Sequence, residues 1–396
     1  MKISSEQQFS RGIDAILAQQ AKLAETQEQL ATGNRILVPS DDPAASTQLV
    51  KLSALISNNN QFGRNIVFAQ NQVELSESKL KSAGDILQRV RELVVQANSA
   101  IHSNASRSAI GIEVGNNLDA LLDIANSKDA SGEYIFSGFN ATTQPFVKEG
   151  DGYVYKGDQG ERLLRVSEDI KIQVRDSGAE VFQKIKDGDG RLKVSPSDSN
   201  TGSPTILLES NVESEVGIYS IGFTDGGSRY VVRNADGTDI KTGQFEPGVQ
   251  FSFNDINVTI DGAPEDGDQF EIRPAANVDV FSTLQELSSI LLEPVDSASA
   301  QAVLTTHLSQ VLKEIDQGLD KFLQVRSSLG NRLQQLDVRI EENLDAKVRY
   351  ERSIGELKDL DFAEAVSRFN LQKTGLEAAQ QAYVKVQGLS LFNFLR

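Results

Sequence analysis

Asp41 and Asp42, adjacent carboxylates in the stretch RILVPSDDPAAS, are the residues whose type and spacing first suggest chemistry. Two carboxylates can share general acid and base work or hold a divalent cation. Either task needs further groups, and no third ligand, histidine or glycine-rich loop lies nearby. A plainer use exists for the same residues. Ser40, Asp41 or Asp42 can accept hydrogen bonds from the free amides that open a helix, and Pro43 suits its first turn. The stretch therefore reads as a cap and hinge between two helical segments.

Other candidates for chemistry fare no better. DGDGRLKVSPSD puts Asp187, Asp189 and Asp198 at the first, third and twelfth positions of a calcium loop, but Arg191 stands at the fifth, where an oxygen ligand belongs. Its glycine falls at the fourth position instead of the sixth, so a hairpin or loop tip is favoured. A Ser/His/Asp triad needs an oriented imidazole. The two histidines, His102 and His307, both fall in helical seam regions where packing or solvation accounts for them. Zero cysteines exclude disulfides, thiolate nucleophiles and cysteine-bound zinc. Stretches such as TDGGSR lack the spacing of a phosphate-binding loop. No catalytic residue, metal or cofactor is expected, and the chain does not read as an enzyme.

Composition bounds the partners. With 39% hydrophobic and 24% charged residues among 396, the chain can fold into two or three domains. Its 39 basic and 56 acidic residues leave a net charge of -17, which repels nucleic acid and anionic lipid. No apolar run approaches a membrane span, and the start MKISSEQQFSRG lacks the apolar core of a cleaved signal peptide. Departure from the cytoplasm would need another route.

The elements that position these residues follow from periodicity. All nine prolines lie at 39, 43, 145, 196, 204, 247, 264, 274 and 294, so residues 44–144 and 295–396 contain none. Ile66, Ala69, Val73, Ser76, Leu80, Ala83, Leu87, Val90, Val94, Ala97 and Ile101 keep a three-four spacing, as do Leu308, Leu312, Ile315, Leu319, Phe322, Arg326, Leu329, Leu333, Leu336, Ile340, Asn343, Lys347, Tyr350, Ile354 and Leu357, three of them polar. Helices with one apolar stripe each need one another, which predicts an antiparallel bundle joining the chain's two ends. A third helix over about 105–128, with Ile112, Leu118, Leu121, Leu122 and Ile124, completes it. Outside the bundle, Phe9, Ile13, Ile16, Gln20, Leu23, Gln27 and Leu30 precede the RILVPSDDP break. Phe362, Val366, Phe369, Leu376, Ala379 and Tyr383 follow a second break at LKDLD. Such paired tails are marginal alone and suited to partners in an assembly.

Between the helical blocks the period falls to two. Ile170, Ile172 and Val174 alternate with Lys171, Gln173 and Arg175; Val249, Phe251, Phe253 and Ile256, Val258, Ile260 repeat the pattern. Asp-Gly pairs at 187, 225, 236 and 261 punctuate it as turns. Residues 141–279 hold 14 basic and 25 acidic residues, so -11 of the net -17 falls on this insertion. The expected fold is α+β and multidomain: a long antiparallel, coiled-coil-like helical bundle formed by both chain ends, with an inserted all-β outer domain. Terminal tails span 1–42 plus 360–396, the bundle 43–140 plus 280–359, and the insertion 141–279.

At this level the sequence resembles a family. The opening 46 residues, with ATGNRI followed by SDDPA, closely resemble the N-terminal region of bacterial flagellar axial proteins, a family that includes flagellin and the hook-associated proteins. SGEYIFSGFNATTQPF at 131–146, YKGDQGER at 155–162, GAPEDGDQFEI at 262–272 and the ending GLEAAQQAYVKVQGLSLFNFLR resemble its hook-associated protein 3 branch, the hook-filament junction proteins. EYIFSG and SLFNFL are the more specific signals, since SDDPA-like stretches also occur in flagellin. Residues from about 183 to 260 are longer than that branch leads one to expect and leave room for an extra outer subdomain.

The resemblance implies a structural protein of the extracellular flagellum, secreted unfolded through the flagellar type III channel and served by an export chaperone. It implies a ring-like homo-oligomer seated on hook-associated protein 1 and carrying flagellin. Phe9, Ile13, Ile16, Leu23, Leu30, Phe362, Val366, Phe369, Leu376, Tyr383, Leu389, Phe392 and Leu395 are then expected to bury surface in the assembly. Two alternatives stay open: flagellin itself, or an axial protein whose outer domain is an adhesion module.

Overall fold

The computed structural model describes residues 5–99, 103–150, 152–197, 199–210 and 217–394. His102, Asp198 and Leu395 lie outside the described residues, as do Ile101 and the side chains of Phe9, Leu389 and Phe392. Two compact units form, one from the chain ends up to Arg64 and from Arg339 onward, the other from Asn65–Val338. The division falls inside two long helices, α2 (Pro43–Ala97) and α5 (Ala298–Lys358), and not at the breaks near 42 and 360. Three-four spacing sustained over so many turns is what lets each run as one helix.

In the unit Asn65–Val338 the α2 seam is dry. Ile66, Ala69, Val73, Ser76, Leu80, Ala83, Leu87, Val90, Val94 and Ala97 are each at most 2% exposed, and α5 answers with Leu308, Ile315, Phe322, Leu329 and Leu336. Ser76, the polar position of the stripe, satisfies itself by donating its hydroxyl to the Gln72 carbonyl at 2.9 Å. α3 (Asn104–Ala125) starts at Ser103, whose hydroxyl oxygen accepts from the Ser106 amide. Its inward face carries Ile110, Val114, Leu118, Leu121 and Ala125, whereas Ile112 is 57% exposed, so the helix is turned from the expected face. A further helix, α4 (Val280–Leu292), corrects the three-helix expectation; thirteen residues ahead of Pro294 are too few to announce themselves by a sustained seam. It packs on α3 where Gly111 permits close approach, a Cβ there standing 3.0 Å from Leu291 and 3.1 Å from the Ser288 carbonyl.

Among the described residues, all strand pairings in the insertion are antiparallel. Two hairpins, Phe146–Glu149 with Gly152–Tyr155 and Arg162–Arg165 with Lys171–Arg175, come first. A five-stranded sheet follows in the order Asp239–Gln244, Arg229–Asn234, Tyr219–Thr224, Gln269–Pro274, Leu192–Pro196, beside a three-stranded sheet of Gln250–Phe253, Ile256–Asp261 and Thr205–Ser210. Alternate residues of both sheets, among them Val194, Phe223, Val232, Val258, Ile260, Phe270 and Ile272, share one core. Asp225, with φ of 57°, and Gly226 turn one hairpin as the Asp-Gly signal predicts. The turn between Phe253 and Ile256 uses Asn254 and Asp255 at φ of 44° and 61°, a left-handed pair without glycine.

Asp187 and Asp189 prove to be loop architecture. The fully buried Asp187 accepts from Arg273 Nη2 at 2.5 Å and from the Ala276 amide at 2.7 Å; Asp189 accepts from the Arg191 and Leu192 amides. Nearby, Lys193 pairs with the buried Glu314 of α5 at 2.9 Å, tying the insertion to the helical layer of the same unit.

Arg175 departs from the period-two expectation that faces it to solvent. Its side chain is 0% exposed, with Nη2 donating to Asp129 and to Glu133 at 2.7 Å each. Asp129 also accepts from Gln72 of α2 and from the amides of Ser131 and Glu133. Burial alone would raise the Asp129 carboxyl, but these donors and the Arg175 charge outweigh it and hold it below its ordinary value. Removing one partner of a buried pair strands the other, so Arg175→Ala is expected to cost about 3–5 kcal/mol in urea unfolding. The depressed Asp129 value stabilises the fold above its unfolded value of 3.8, a contribution lost as pH falls through the lower folded value. Asp129→Asn should flatten that acid limb of the stability-pH curve.

Candidate assembly interface

Two helix breaks, distant in sequence, are bonded to each other. α1 (Ser5–Thr32) ends at Gly33, which adopts φ of 71°, the left-handed conformation that closes a helix and that glycine takes without penalty. Arg35 then donates its amide to the Lys358 carbonyl at 2.6 Å, and its guanidinium to the Leu357 carbonyl at 2.8 and 3.2 Å. The Leu360 amide returns a bond to the Gly33 carbonyl at 3.0 Å. The last carbonyls of α5 are thereby satisfied by a segment more than 300 residues away.

Within this clasp the paired aspartates have separate tasks. Asp41 accepts from the Leu37 and Val38 amides at 2.9 and 3.0 Å, folding the turn on itself. Asp42 accepts from the Ala45 amide at 2.9 Å and caps α2, which Pro43 opens; Ser40 is exposed in the turn. The Ala45 bond, with help from Arg35 at 3.5 Å, holds the Asp42 carboxyl below its ordinary range. At the other break Asp361 accepts from the Ala363 and Glu364 amides and caps α6 (Phe362–Phe394). That cap was legible as Asp361 followed three residues later by Glu364; the Arg35 bonds to α5 had no local signal.

Beyond the clasp, α1 and α6 pair along a seam that is only half dry. Ile16, Leu23, Leu30, Phe369, Leu376 and Tyr383 lie on it and are half-buried. The seam is turned by one position from the sequence expectation: Gln20 and Gln27 are exposed, while Gln19 and Thr26 face the partner helix. Gly12 lies on the turned face, where a Cβ would stand 3.2 Å from the Tyr383 ring, so that glycine lets the ring close on α1. Polar groups occupy the seam's interior: Gln29 donates to the Arg35 carbonyl and accepts from Arg368. Left outward in the single chain are Ile13 (45% exposed), Phe362 (56%) and Val366 (47%), together with Leu17, Leu371 and Val384, which the spacing argument passed over. Leu389 and Phe392 continue the α6 backbone.

Comparison with known proteins bears on both ends and on the middle. Residues 3–141 match the bacterial flagellin N-terminal helical region, and 312–395 the C-terminal helical region. The crystal structure of a flagellar hook-associated protein 3 from Legionella pneumophila is 31% identical with a TM-score of 0.74, over 77% of this chain and 98% of that one. This chain belongs to the hook-associated protein 3 family. The flagellar hook-associated protein 3 of Escherichia coli is 25% identical over 99% of both chains. By contrast, a flagellar filament core protein of Borreliella burgdorferi, 33% identical, matches over 31% of this chain and 36% of its own length. The likeness to the hook-associated protein 3 family thus runs through the β insertion, whereas the filament protein shares only a part.

Loss of the α2 cap should register locally. Asp42→Ala is expected to speed amide hydrogen exchange at Ala44–Ser46 and lower the melting temperature. Because the folded carboxyl is depressed, the gap between variant and wild type should close as pH falls below 3.8.

Proposed function

We infer that this chain is the structural junction piece of a bacterial flagellum, set between the hook and the flagellin filament and built in through its terminal helices. The observation that carries the reading is likeness over the whole length to hook-associated protein 3 relatives, 98–99% of each. A filament subunit, the reading that the shared ends alone would allow, has only partial likeness in its favour.

Mechanism follows from how little the terminal pair buries by itself. Two helices cover only one side of each other, and apolar residues on the remaining sides are stabilised when neighbouring chains cover them. Burial at about 25 cal/mol per Å² makes each such anchor worth on the order of 1–3 kcal/mol, so several together decide incorporation. The chain's neighbours are then further copies in a ring, hook-associated protein 1 on the hook side and flagellin on the filament side. Export unfolded through the flagellar type III channel with a chaperone fits a chain without cysteines whose end helices bury little of their own surface.

Leu23→Asp or Phe369→Asp puts a charge into the α1–α6 seam, and either is expected to give an exported, soluble chain that does not restore motility to a strain lacking the protein. Full complementation by both would sink the seam assignment. Immuno-electron microscopy of intact flagella, with an antibody raised against residues 183–260, should label one narrow band between hook and filament. Label along the whole filament would make the chain a filament subunit.

A further inference from the structure

The chain holds seven Asp-Gly steps, opening at 151, 187, 189, 225, 236, 261 and 266, and no Asn-Gly step. At Asp-Gly a main-chain amide can attack the preceding carboxyl, because glycine leaves that nitrogen uncrowded. Asp151 lies outside the described residues. At four of the others the glycine amide is engaged elsewhere. Gly188 donates to Glu314 at 3.3 Å, Gly190 to the Asp187 carbonyl at 3.1 Å, and Gly237 and Gly267 to the Asn234 and Phe223 carbonyls at 3.0 Å each. The Asp225 carboxylate is drawn towards Arg229, 3.8 Å away. Asp261 differs, because the Gly262 amide donates to its own Oδ1 at 2.8 Å. Nitrogen and carboxyl of one step thus meet, on an exposed residue that water and protons reach.

The surrounding backbone holds them there. Gly262 adopts φ of 91°, and a Cβ on it would stand 2.2 Å from the Ser203 carbonyl. Asp261 is level with Thr205 in the strand pair, and just beyond it the Ala263 carbonyl accepts from the Ser203 amide at 2.8 Å. Groups held close and kept from turning away react faster than free ones. We propose that Asp261 is a site of spontaneous isoaspartate formation, selected from the Asp-Gly steps by the fold. The Gly262 nitrogen bonds to Cγ of the protonated Asp261 carboxyl, and the amide proton leaves with the carboxyl hydroxyl as water. Water then opens the five-membered imide. Cleavage at Cγ restores aspartate, whereas cleavage at the main-chain carbonyl carbon frees that carbon as a carboxylate and leaves the chain running through Cγ, one carbon longer. No oxidant or cofactor enters, and the mass is unchanged. Acid speeds the first step, since the hydroxyl leaves only from a protonated carboxyl. The longer main chain displaces the Ala263 carbonyl from Ser203, so the modification loosens the end of the pairing between Ile256–Asp261 and Thr205–Ser210.

The test is incubation of the folded full-length chain in mildly acidic buffer, followed by digestion with a protease that cuts before aspartate and not before isoaspartate. Mass spectrometry then reads missed cleavage at each Asp-Gly step. Missed cleavage at unchanged mass is expected to accumulate at 261 at least about tenfold faster than at 225, 236 or 266. Equal or faster accumulation at any of those three, or none at 261, overturns the proposal. The same incubation in urea should bring 261 down to the rate of the other steps. A preference for 261 that persists in the unfolded chain would assign it to local sequence, and that too overturns the proposal. Asp261→Glu, whose longer side chain would need a six-membered ring, should lose the signal at this position and leave the other steps unchanged.

Discussion

An amphipathic helix offers one stripe to bury, and how many neighbours cover that stripe decides nearly everything else about this chain. Where α2 and α5 run with α3 and α4 in the unit Asn65–Val338, successive seam residues of α2 are dry and the seam is almost wholly apolar. Where α1 and α6 have chiefly each other, the large apolar positions are half-buried and the seam also takes in glutamine, threonine and arginine. The same three-four spacing thus encodes a stable core in one unit and an unfinished one in the other. A protein that must be stable as a unit and also join a larger body can divide those tasks between its middle and its ends in this way.

Polar groups inside the terminal seam fit this division. A dry two-helix pair of this length would compete with assembly by hiding its own apolar surface. Gln29, bonded to Arg35 and Arg368, instead fixes the register of α1 against α6 without making the pair self-sufficient. In the other unit some polar groups are enclosed, Arg175, Asp129 and Glu314 among them. Arg175 with Asp129 and Glu133, and Glu314 with Lys193, join segments that the chain order keeps apart, fixing the insertion to the loop after α3 and to α5 of that unit.

What the sequence made legible follows from range. The α2 stripe could be read residue by residue because helix periodicity is local, and Asp-Gly pairs marked sharp turns because positive φ favours them. The capping task of Asp42 was legible for the same reason, although which of Ser40, Asp41 and Asp42 would cap was not. Arg175 was misplaced because strand alternation says which side a residue faces, and nothing about the loop after α3, with Asp129 and Glu133, that meets that side. The face of α3 and the one-position turn of the α1 seam involve small residues, Gly111 and Gly12, whose meaning appears only with a partner helix in place. Bonds from Arg35 to Leu357 and Lys358 span more than 300 residues and leave no trace in either segment.

That clasp also has a mechanical side. Two independent hinges, one at each end of the chain, would let α1 and α6 yield separately when pulled. Here the backbone of Gly33 and Arg35 is bonded directly to that of Lys358 and Leu360, with the Arg35 guanidinium gripping the Leu357 carbonyl beside them. Tension arriving along either terminal helix is shared at once with the other, and both helices answer a load as a single element.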